Sequence, residues 1–385
     1  MTIKRSNIRF LHTSDWQIGK VFGFVDKSVM GLLQEARLSV ISRLGKLAQE
    51  KEIFHILVAG DVYDLEHPSQ RLLNQPMERM RVFENITWHL LPGNHDPQRP
   101  NGLWDRVRKA GVPDNIEIYS EPVPQHVDGL PMVILPAPLQ HKRTLHDPTE
   151  YMNNVDLPEE SIRVGLAHGS VEKFSTSPEN VSNYIDPNRP ETANLSYLAL
   201  GDWHGQKKIN SRCWYSGTPE NDAFKVVNGG KALIVEIDSP DALPNVTPID
   251  TGKFTWVRMS HQLKNQEDID LLEHQIRSQS DELDCCLIRL RVEGALSLED
   301  QDHFRNSVVD GVSAALCHLE VNQDDLFSNP TKEDIDQIDV GGFVREAAVR
   351  LKELADTGED SKKDLAREAL LRLYLELKKS EHGYS

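Results

Sequence analysis

Five short apolar runs in this chain each lead directly into carboxylate, amide or imidazole side chains. The central run, residues 86–90, is β-branched, aromatic and apolar, which predicts a strand, and a proline–glycine pair breaks it. Asn94, His95 and Asp96 follow on that turn. Because ligands bind at the carboxyl ends of strands in open α/β sheets, we expect a binding site here.

The same pattern recurs at four other places in the chain. Runs 8–12, 56–59, 164–167 and 197–200 also read as strands with polar residues at their carboxyl ends. The candidate site residues at the five strand ends are Asp15, Gln17, Asp61, Asp64, Asn94, His95, His168, Asp202 and His204. Oxygen and imidazole groups are the usual protein ligands of divalent metals, so the pattern predicts a metal centre.

These strand ends resemble the motifs of a known family, the calcineurin-like metallophosphoesterases. The five motifs are Asp15-Trp16-Gln17, Gly60-Asp61, Gly93-Asn94-His95-Asp96, His168 and Gly201-Asp202-Trp203-His204. More narrowly, the chain resembles SbcD-type DNA repair exonuclease subunits, which pair with an SMC-like ATPase; segments 60–64 and 214–219 support this. The resemblance implies an α/β (α+β, four-layer) fold, in which a two-sheet β-sandwich is flanked by helices.

The resemblance also implies a role for each candidate residue. Two divalent metal ions would share Asp61 as a bridging ligand. The first ion would add Asp15, Gln17 and His204, and the second would add Asn94, His168 and Asp202. His95 would protonate the leaving oxygen, with an acceptor such as Asp96 setting its tautomer. Asp64 would orient His95 or hold a water molecule.

Two positions depart from the family pattern. Gln17 and Asp202 stand where the family usually has histidine. Both changes replace nitrogen donors by oxygen donors, which favours Mn²⁺, with Mg²⁺ as an alternative, over Zn²⁺ or Fe²⁺. A second interpretation is a decayed site without catalysis, but the predicted bridge and the remaining histidines favour activity.

The chain is long enough for more than one domain, at 385 residues. A proline-rich stretch, residues 240–248, suggests a boundary. We expect a nuclease domain over residues 1–240, a smaller α+β capping domain over 250–335 and a C-terminal helical hairpin over 341–380. The hairpin is interpreted either as a packing element on the capping domain or as a docking face for the coiled coil of the ATPase.

The charge and the cysteines bear on partners and compartment. The formal net charge of −17 argues against tight independent DNA binding, so we expect an SbcC-type ATPase partner to supply the basic surface. The four cysteines form no CxxC pair and predict reduced thiols. No apolar run is long enough for a transmembrane helix and no signal-peptide pattern is visible, so we expect a cytoplasmic protein without membrane contact.

The sequence therefore predicts a metal-dependent DNA exonuclease or endonuclease that acts in DNA repair with an SMC-like ATPase. A homodimer is one candidate assembly. Two alternatives stay open. One is a phosphodiesterase for small substrates, and the other is a catalytically weakened scaffold or DNA-binding subunit.

Overall fold

The structure is a computed structural model that describes residues 7–171, 182–328, 343–357 and 360–382. It divides into two compact units, Met1–Phe254 and Thr255–Ser385. The predicted boundary stretch, residues 240–248, lies within the first unit, and its residues 245–248 belong to a paired strand. The assignment of nuclease, capping and docking roles to segments of the chain stays a prediction.

Two six-stranded sheets form the first unit. The strands of the first sheet, in spatial order, are β12 (Asn245–Asp250), β11 (Lys231–Ile237), β1 (Ile8–Thr13), β2 (His55–Val58), β3 (Thr87–Leu90) and β4 (Ile116–Ile118). The second sheet has β5 (Gln125–His126), β6 (Met132–Ala137), β7 (Ile162–His168), β8 (Tyr197–Gly201), β10 (Cys213–Tyr215) and β9 (Lys207–Lys208). The central strands β1 to β4 and β6, β7, β8 and β10 pair in parallel, so their carboxyl ends share one edge of each sheet.

The sheets face each other across an apolar core. Phe10 and Val235 from the first sheet and Val164 and Ala199 from the second are fully buried in one cluster. The outer face of the first sheet packs on helices α1 (Lys27–Glu50), α2 (Gln70–Arg81) and α3 (Leu103–Ala110). A short helix, α4 (Arg189–Thr192), lies beside the second sheet. The structure thus confirms the predicted two-sheet sandwich flanked by helices.

Helix α1 illustrates how local sequence positions these layers. It begins after Asp26, whose carboxylate accepts hydrogen bonds from the backbone N–H groups of Ser28 (2.8 Å) and Val29 (3.0 Å), the expected arrangement for an N-cap. Apolar residues at helical spacing, Leu33 and Leu44 among them, are buried against the sheet. Arg37 is buried on the same face, although it is charged.

Buried histidines link the layers of the first unit. His12 on β1 is fully buried, with Nδ1 3.0 Å from the Tyr197 hydroxyl on β8 and Nε2 3.2 Å from the carbonyl oxygen of Leu200. His89 on β3 has Nδ1 2.7 Å from the Tyr119 hydroxyl. Burial lowers the pKa of each of these two histidines from 6.5 to about 3, so both are neutral in the folded state.

We expect acid to unfold this unit because of these neutral histidines. An unfolded histidine binds a proton below its ordinary pKa of 6.5, whereas folded His12 does not until the pH approaches 3. Stability is therefore present above pH 6.5 and is lost as the pH falls, by about 1.4 kcal/mol per pH unit and per histidine. Replacing His12→Gln should reduce the difference in unfolding free energy between pH 6.5 and about pH 4.5 by about 2–3 kcal/mol.

Urea unfolding followed by tryptophan fluorescence at the two pH values measures this difference. The exposed His141 provides the matched control, and His141→Gln should leave the pH dependence as it is in the wild type. An unchanged pH dependence in His12→Gln would show that His12 is protonated in the folded protein.

The second unit has its own sheet and core. Three strands, β13 (Thr255–Leu263), β14 (Cys286–Leu296) and β15 (His318–Ser328), pair in parallel. Helices α5 (Gln266–Arg277) and α6 (Leu298–Phe304) connect them and cover the sheet around a buried cluster that includes Leu272, Ile288 and Val308. The parallel order follows from the strand–helix–strand sequence. This agrees with the small α+β unit that the sequence predicts.

The chain then forms a helical hairpin of α7 (Phe343–Thr357) and α8 (Asp360–His382), again as predicted. Lys264, which directly follows β13, forms an ion pair with Glu368 of α8 (2.9 Å). Several large apolar side chains of the hairpin are exposed, including Phe343 (84%) and Leu365 (68%). None of the helices in the described part of the chain combines the length and apolar composition needed to cross a membrane.

Candidate metal centre

The candidate residues lie at the carboxyl ends of parallel strands from both sheets, His168 as the last residue of β7 and the others in the loops that follow the strands. The loops after β1 and β2 run side by side, because the backbone N–H of Asp15 donates to the Gly60 carbonyl oxygen (3.1 Å) and that of Gln17 donates to the Asp61 carbonyl oxygen (2.9 Å). The loops after β7 and β8 approach them from the second sheet. The backbone N–H of Asp202 donates to Asp15 Oδ1 and Oδ2, both at 3.2 Å.

Four of the seven predicted metal ligands have an unusual backbone conformation. The φ angles are 53° at Asp15, 43° at Gln17, 55° at Asp61 and 104° at Asp202. A positive φ costs a residue with a side chain about 1–3 kcal/mol, so it persists only where the surrounding structure enforces it. The fold therefore holds these side chains in strained positions, which is typical of functional sites.

Two glycines permit the close approach of these loops. A Cβ atom at Gly60, whose φ is +86°, would lie 2.3 Å from Nδ1 of His168. A Cβ atom at Gly93 would lie 2.2 Å from Oδ1 of Asp61. Both positions require glycine, because any side chain would displace a predicted ligand.

The ligands predicted for the second ion gather around His168. Its Nε2 atom lies 2.8 Å from Asn94 Oδ1, 3.4 Å from Asp61 Oδ1 and 3.8 Å from Asp202 Oδ1. Asp15, Asp61 and His168 each offer one ligand atom, and these three atoms lie within 4.8 Å of one another. All three side chains are buried.

The ligands predicted for the first ion lie beside them. Nε2 of His204 is 3.9 Å from Asp15 Oδ1 and 3.2 Å from Gln17 Nε2. The contacts from His168 through Asp202 and Asp15 to His204 form one continuous group. The structure thus brings all seven predicted ligands together, including the two at which the chain departs from the family pattern; that they bind metal stays a prediction.

The protein fixes the orientation of both imidazole rings. Nδ1 of His168 donates a hydrogen bond to the Ala59 carbonyl oxygen (2.8 Å), and Nδ1 of His204 lies 2.8 Å from Oδ2 of the buried Asp222. In each ring the proton is held at Nδ1, and Nε2 faces the pocket. Metal-binding histidines are held in this way by carbonyl or carboxylate partners.

The electrostatics of the pocket favour a cation. Burial disfavours the charged form of His168, but the carboxylates of Asp61, Asp15 and Asp202 outweigh this and raise its pKa to about 9. Burial is also the main cause of the raised pKa of Asp202, to which Asp15 and Asp61 add their negative charges. The negative potential that draws a proton to His168 would equally attract a metal ion, so the donor set fits divalent metal binding.

His95 stands at the edge of this pocket with its side chain 34% exposed. Nδ1 lies 3.3 Å from both the carboxylate and the carbonyl oxygen of Asp64, and the hydrogen bond to the carboxylate is the main cause that raises the pKa of His95 to about 9. Asp96 does not orient His95, which corrects one expectation. Its carboxylate accepts instead from the backbone N–H groups of Gly93 (2.7 Å) and Tyr63 (3.0 Å), and so shapes the turn.

Sequence reasoning missed Lys20 and Asp222. Asp222 accepts from both Lys20 Nζ (2.7 Å) and His204 Nδ1 (2.8 Å). Burial opposes its ionisation, but the hydrogen bond from His204 and the charges of His204, Arg37 and Lys20 outweigh this and lower its pKa. No local signal marks these residues, because Lys20 and Asp222 are far apart in the sequence.

Arg37 was also missed, and it stabilises the loop after β1, which carries Asp15 and Gln17. Its guanidinium donates to the carbonyl oxygens of Asp15 (2.7 Å) and Trp16 (2.8 Å), and to that of Glu220 (2.9 Å). A sequence signal was available here, because Arg37 is a charged residue on the apolar face of the amphipathic helix α1. A buried guanidinium of this kind needs partners, and the groups that it satisfies belong to the site and its supporting loop.

Comparison with known proteins gives consistent matches. The family profile described as calcineurin-like phosphoesterase matches residues 8–235. A protein from Staphylococcus epidermidis, named as the SbcD component of the nuclease SbcCD, is 22% identical over 262 residues, which cover 61% of this chain and 68% of the relative. A protein of the same name from Rhodobacter capsulatus is 35% identical over 111 residues, 27% of this chain and 26% of the relative.

Among solved structures, a dimetal phosphatase from Danio rerio aligns with a TM-score of 0.35 and 11% identity, covering 62% of this chain and 98% of that one. The TM-score is too low to compare the two structures element by element.

Proposed function

The chain belongs to the calcineurin-like phosphoesterase family, and from this premise we propose that it is a metal-dependent DNA nuclease that acts with an SMC-like ATPase partner. The observation that carries the proposal is the pair of anchored imidazoles, His168 and His204, which turn Nε2 toward the carboxylates of Asp61 and Asp15. Divalent ions, Mn²⁺ or Mg²⁺, would activate the attacking water and neutralise the charge that develops on the phosphate.

The residues of this chain then have distinct tasks. Asp15, Gln17, Asp61, Asn94, His168, Asp202 and His204 are the proposed metal ligands. His95 is the proposed general acid: with Nδ1 held by Asp64, its Nε2 donates a proton to the leaving oxygen as the water oxygen bonds to phosphorus. Asp64 is a positioning residue, because it acts through His95.

DNA is proposed as the substrate because both curated relatives are named as components of a nuclease. A feature of this chain supports nucleic acid independently. Trp203, between two proposed ligands, is 42% exposed, and Lys207 Nζ lies 4.9 Å from the centre of its ring. An exposed aromatic ring combined with a cation is the usual combination for stacking unpaired bases and holding their phosphates.

The ATPase partner is proposed because the resemblance implies one, because both relatives are named as one subunit of a nuclease, and because the helical hairpin exposes apolar side chains. Phe343, Val349, Leu354 and Leu365 are large apolar residues of α7 and α8 that are each at least 45% exposed. Such a surface suits a partner helix with an apolar face. The formal charge of −17 supports the same proposal, since a partner would supply the basic surface that DNA needs.

Digestion of end-labelled DNA by the purified chain tests the proposal. We expect Mn²⁺-dependent cleavage of DNA, abolished by a chelator and restored by added Mn²⁺, with and without the ATPase partner present. Cleavage of a small chromogenic diester without cleavage of DNA would favour the small-substrate phosphodiesterase instead. Neither activity, despite bound metal, would favour the scaffold.

Trp203 gives a sharper test of the substrate. Replacing Trp203→Ala should reduce cleavage of single-stranded DNA by about 10- to 100-fold, because stacking contributes about 1–3 kcal/mol per base. The small diester has no base to stack, so its hydrolysis should change little. Trp203→Phe is the matched control and should retain most of the DNA activity. Equal losses on both substrates would show that Trp203 supports the pocket rather than a base.

A further inference from the structure

The two halves of the proposed ligand set differ in the charge that surrounds them. On the side of the first ion, Lys20 Nζ lies 2.8 Å from Gln17 Oε1 and 2.7 Å from Asp222 Oδ2. The Lys20 side chain is 23% exposed, whereas that of Asp222 is buried. An ammonium group therefore already lies among the groups that would hold and support the first ion.

This ammonium fixes the orientation of Gln17. An ammonium group only donates hydrogen bonds, so the Gln17 atom that faces Lys20 must be the carbonyl oxygen. The amide nitrogen then faces His204, and its N–H can donate to Nε2 at 3.2 Å. The other ring nitrogen of His204 is held by Asp222. Both atoms that would bind the first ion, Gln17 Oε1 and His204 Nε2, thus have partners within the protein.

The side of the second ion is different. There, Nε2 of His168 and the oxygens of Asn94, Asp61 and Asp202 converge within 3.8 Å of the imidazole nitrogen. Carboxylate oxygens of Asp61 and Asp202 lie 3.4 and 3.8 Å from this nitrogen, and Asp61 is buried. This side therefore attracts a cation, whereas the Lys20 side already contains one.

We propose that Lys20 is a built-in cation that withholds Gln17 and His204 from metal, so that the chain binds one divalent ion tightly and a second one weakly. The tight ion takes Asp61, Asn94, His168 and Asp202, and the weak one takes the Gln17 side. This inference rests on the proposed function, since it assumes that the pocket binds divalent ions. The physical basis is charge, because the Lys20 ammonium repels a dication that shares its ligands. If Lys20 moved away, the buried Asp222 carboxylate would lose part of the positive charge that compensates it.

Isothermal titration of the metal-free full chain with Mn²⁺ tests the proposal without using activity. The wild type should bind one ion tightly and a second at least about tenfold more weakly. Lys20→Met removes the charge and keeps most of the side-chain volume, and it should tighten the second ion by about tenfold or more. Lys46→Met removes the same charge from an exposed position on α1 and should titrate like the wild type.

A second variant of Lys20 ensures that the result does not depend on a folding defect in Lys20→Met. Lys20→Gln carries no charge but can still donate to Asp222, and it should also tighten the second ion. Thermal unfolding by circular dichroism establishes that each variant is folded before titration. Two equally tight ions in the wild type, or a second ion that stays weak in both Lys20 variants, would overturn the proposal while leaving the metal centre intact. Absence of any bound Mn²⁺ in the wild type would instead overturn the metal centre and this inference with it.

Discussion

Replacing His95→Ala is expected to reduce DNA cleavage by about 100- to 10,000-fold while Mn²⁺ binding stays as in the wild type. The loss follows from the task of the side chain, because a DNA leaving oxygen is a strong base and needs a proton as its bond to phosphorus breaks. Metal binding should persist, since the contact of His95 with the ligand Asp61 is made by its backbone N–H (2.9 Å), which the substitution keeps.

The leaving group provides the discriminating measurement. A nitrophenolate leaves without protonation, so a nitrophenyl diester should lose much less activity than DNA in the His95→Ala enzyme. The rates on both substrates, measured with Mn²⁺ binding on the same samples, separate proton donation from positioning. The exposed His141 gives the control variant, and His141→Ala should behave like the wild type on both substrates.

An Asp64→Asn variant extends this test to the positioning residue. Asp64→Asn should lose less activity than His95→Ala, because the asparagine amide can still hold His95 Nδ1 but supplies no negative charge. As in His95→Ala, cleavage of DNA should fall more than hydrolysis of the nitrophenyl diester. Equal losses on both substrates in His95→Ala would remove His95 as the acid and would leave it a role in binding phosphate.

The sequence predicted the parts of this site that local pattern controls. Strand ends are visible as apolar runs followed by turn residues, and parallel strands must place those ends at one edge, so Asp15, Asp61 and His168 could be expected to converge. The structure brings them together as expected. The two-sheet sandwich was expected from the resemblance of the strand-end motifs to a known family, not from local pattern alone.

The parts that were missed depend on contacts between distant segments. Lys20 meets Asp222 only because the loop after β1 folds against the loop after β10, and neither segment carries a local mark of the other. The choice of Asp64 rather than Asp96 as the partner of His95 depends on a turn geometry in which Asp96 satisfies two backbone N–H groups. The edge strand β12 was missed because the proline-rich stretch 240–248 suggested a domain boundary, yet an edge strand tolerates a proline such as Pro248.

Asp61 is the residue whose loss should have the largest effect, because it is the proposed ligand of both ions. We expect Asp61→Asn to weaken the tight Mn²⁺ ion by at least about 100-fold and to abolish cleavage of DNA and of the nitrophenyl diester alike. The backbone should tolerate the change, since asparagine readily adopts the positive φ of 55° found at this position. The expected loss is therefore one of charge and of a bridging oxygen rather than of fold.

Thermal unfolding with and without Mn²⁺ measures this loss directly. A bound ion at about 100 times its dissociation constant stabilises the wild type by about 2.7 kcal/mol, and this metal-dependent shift should disappear in Asp61→Asn but persist in His95→Ala. Asp128→Asn, at an exposed position, removes the same charge and should keep the shift. The two variants thus separate metal binding from proton transfer. Asp61→Asn should lose both metal binding and turnover, whereas His95→Ala should lose turnover of DNA alone. Retention of the shift and of cleavage in Asp61→Asn would mean that the converging strand ends hold no bridging carboxylate, and the proposed two-ion chemistry would fail with it.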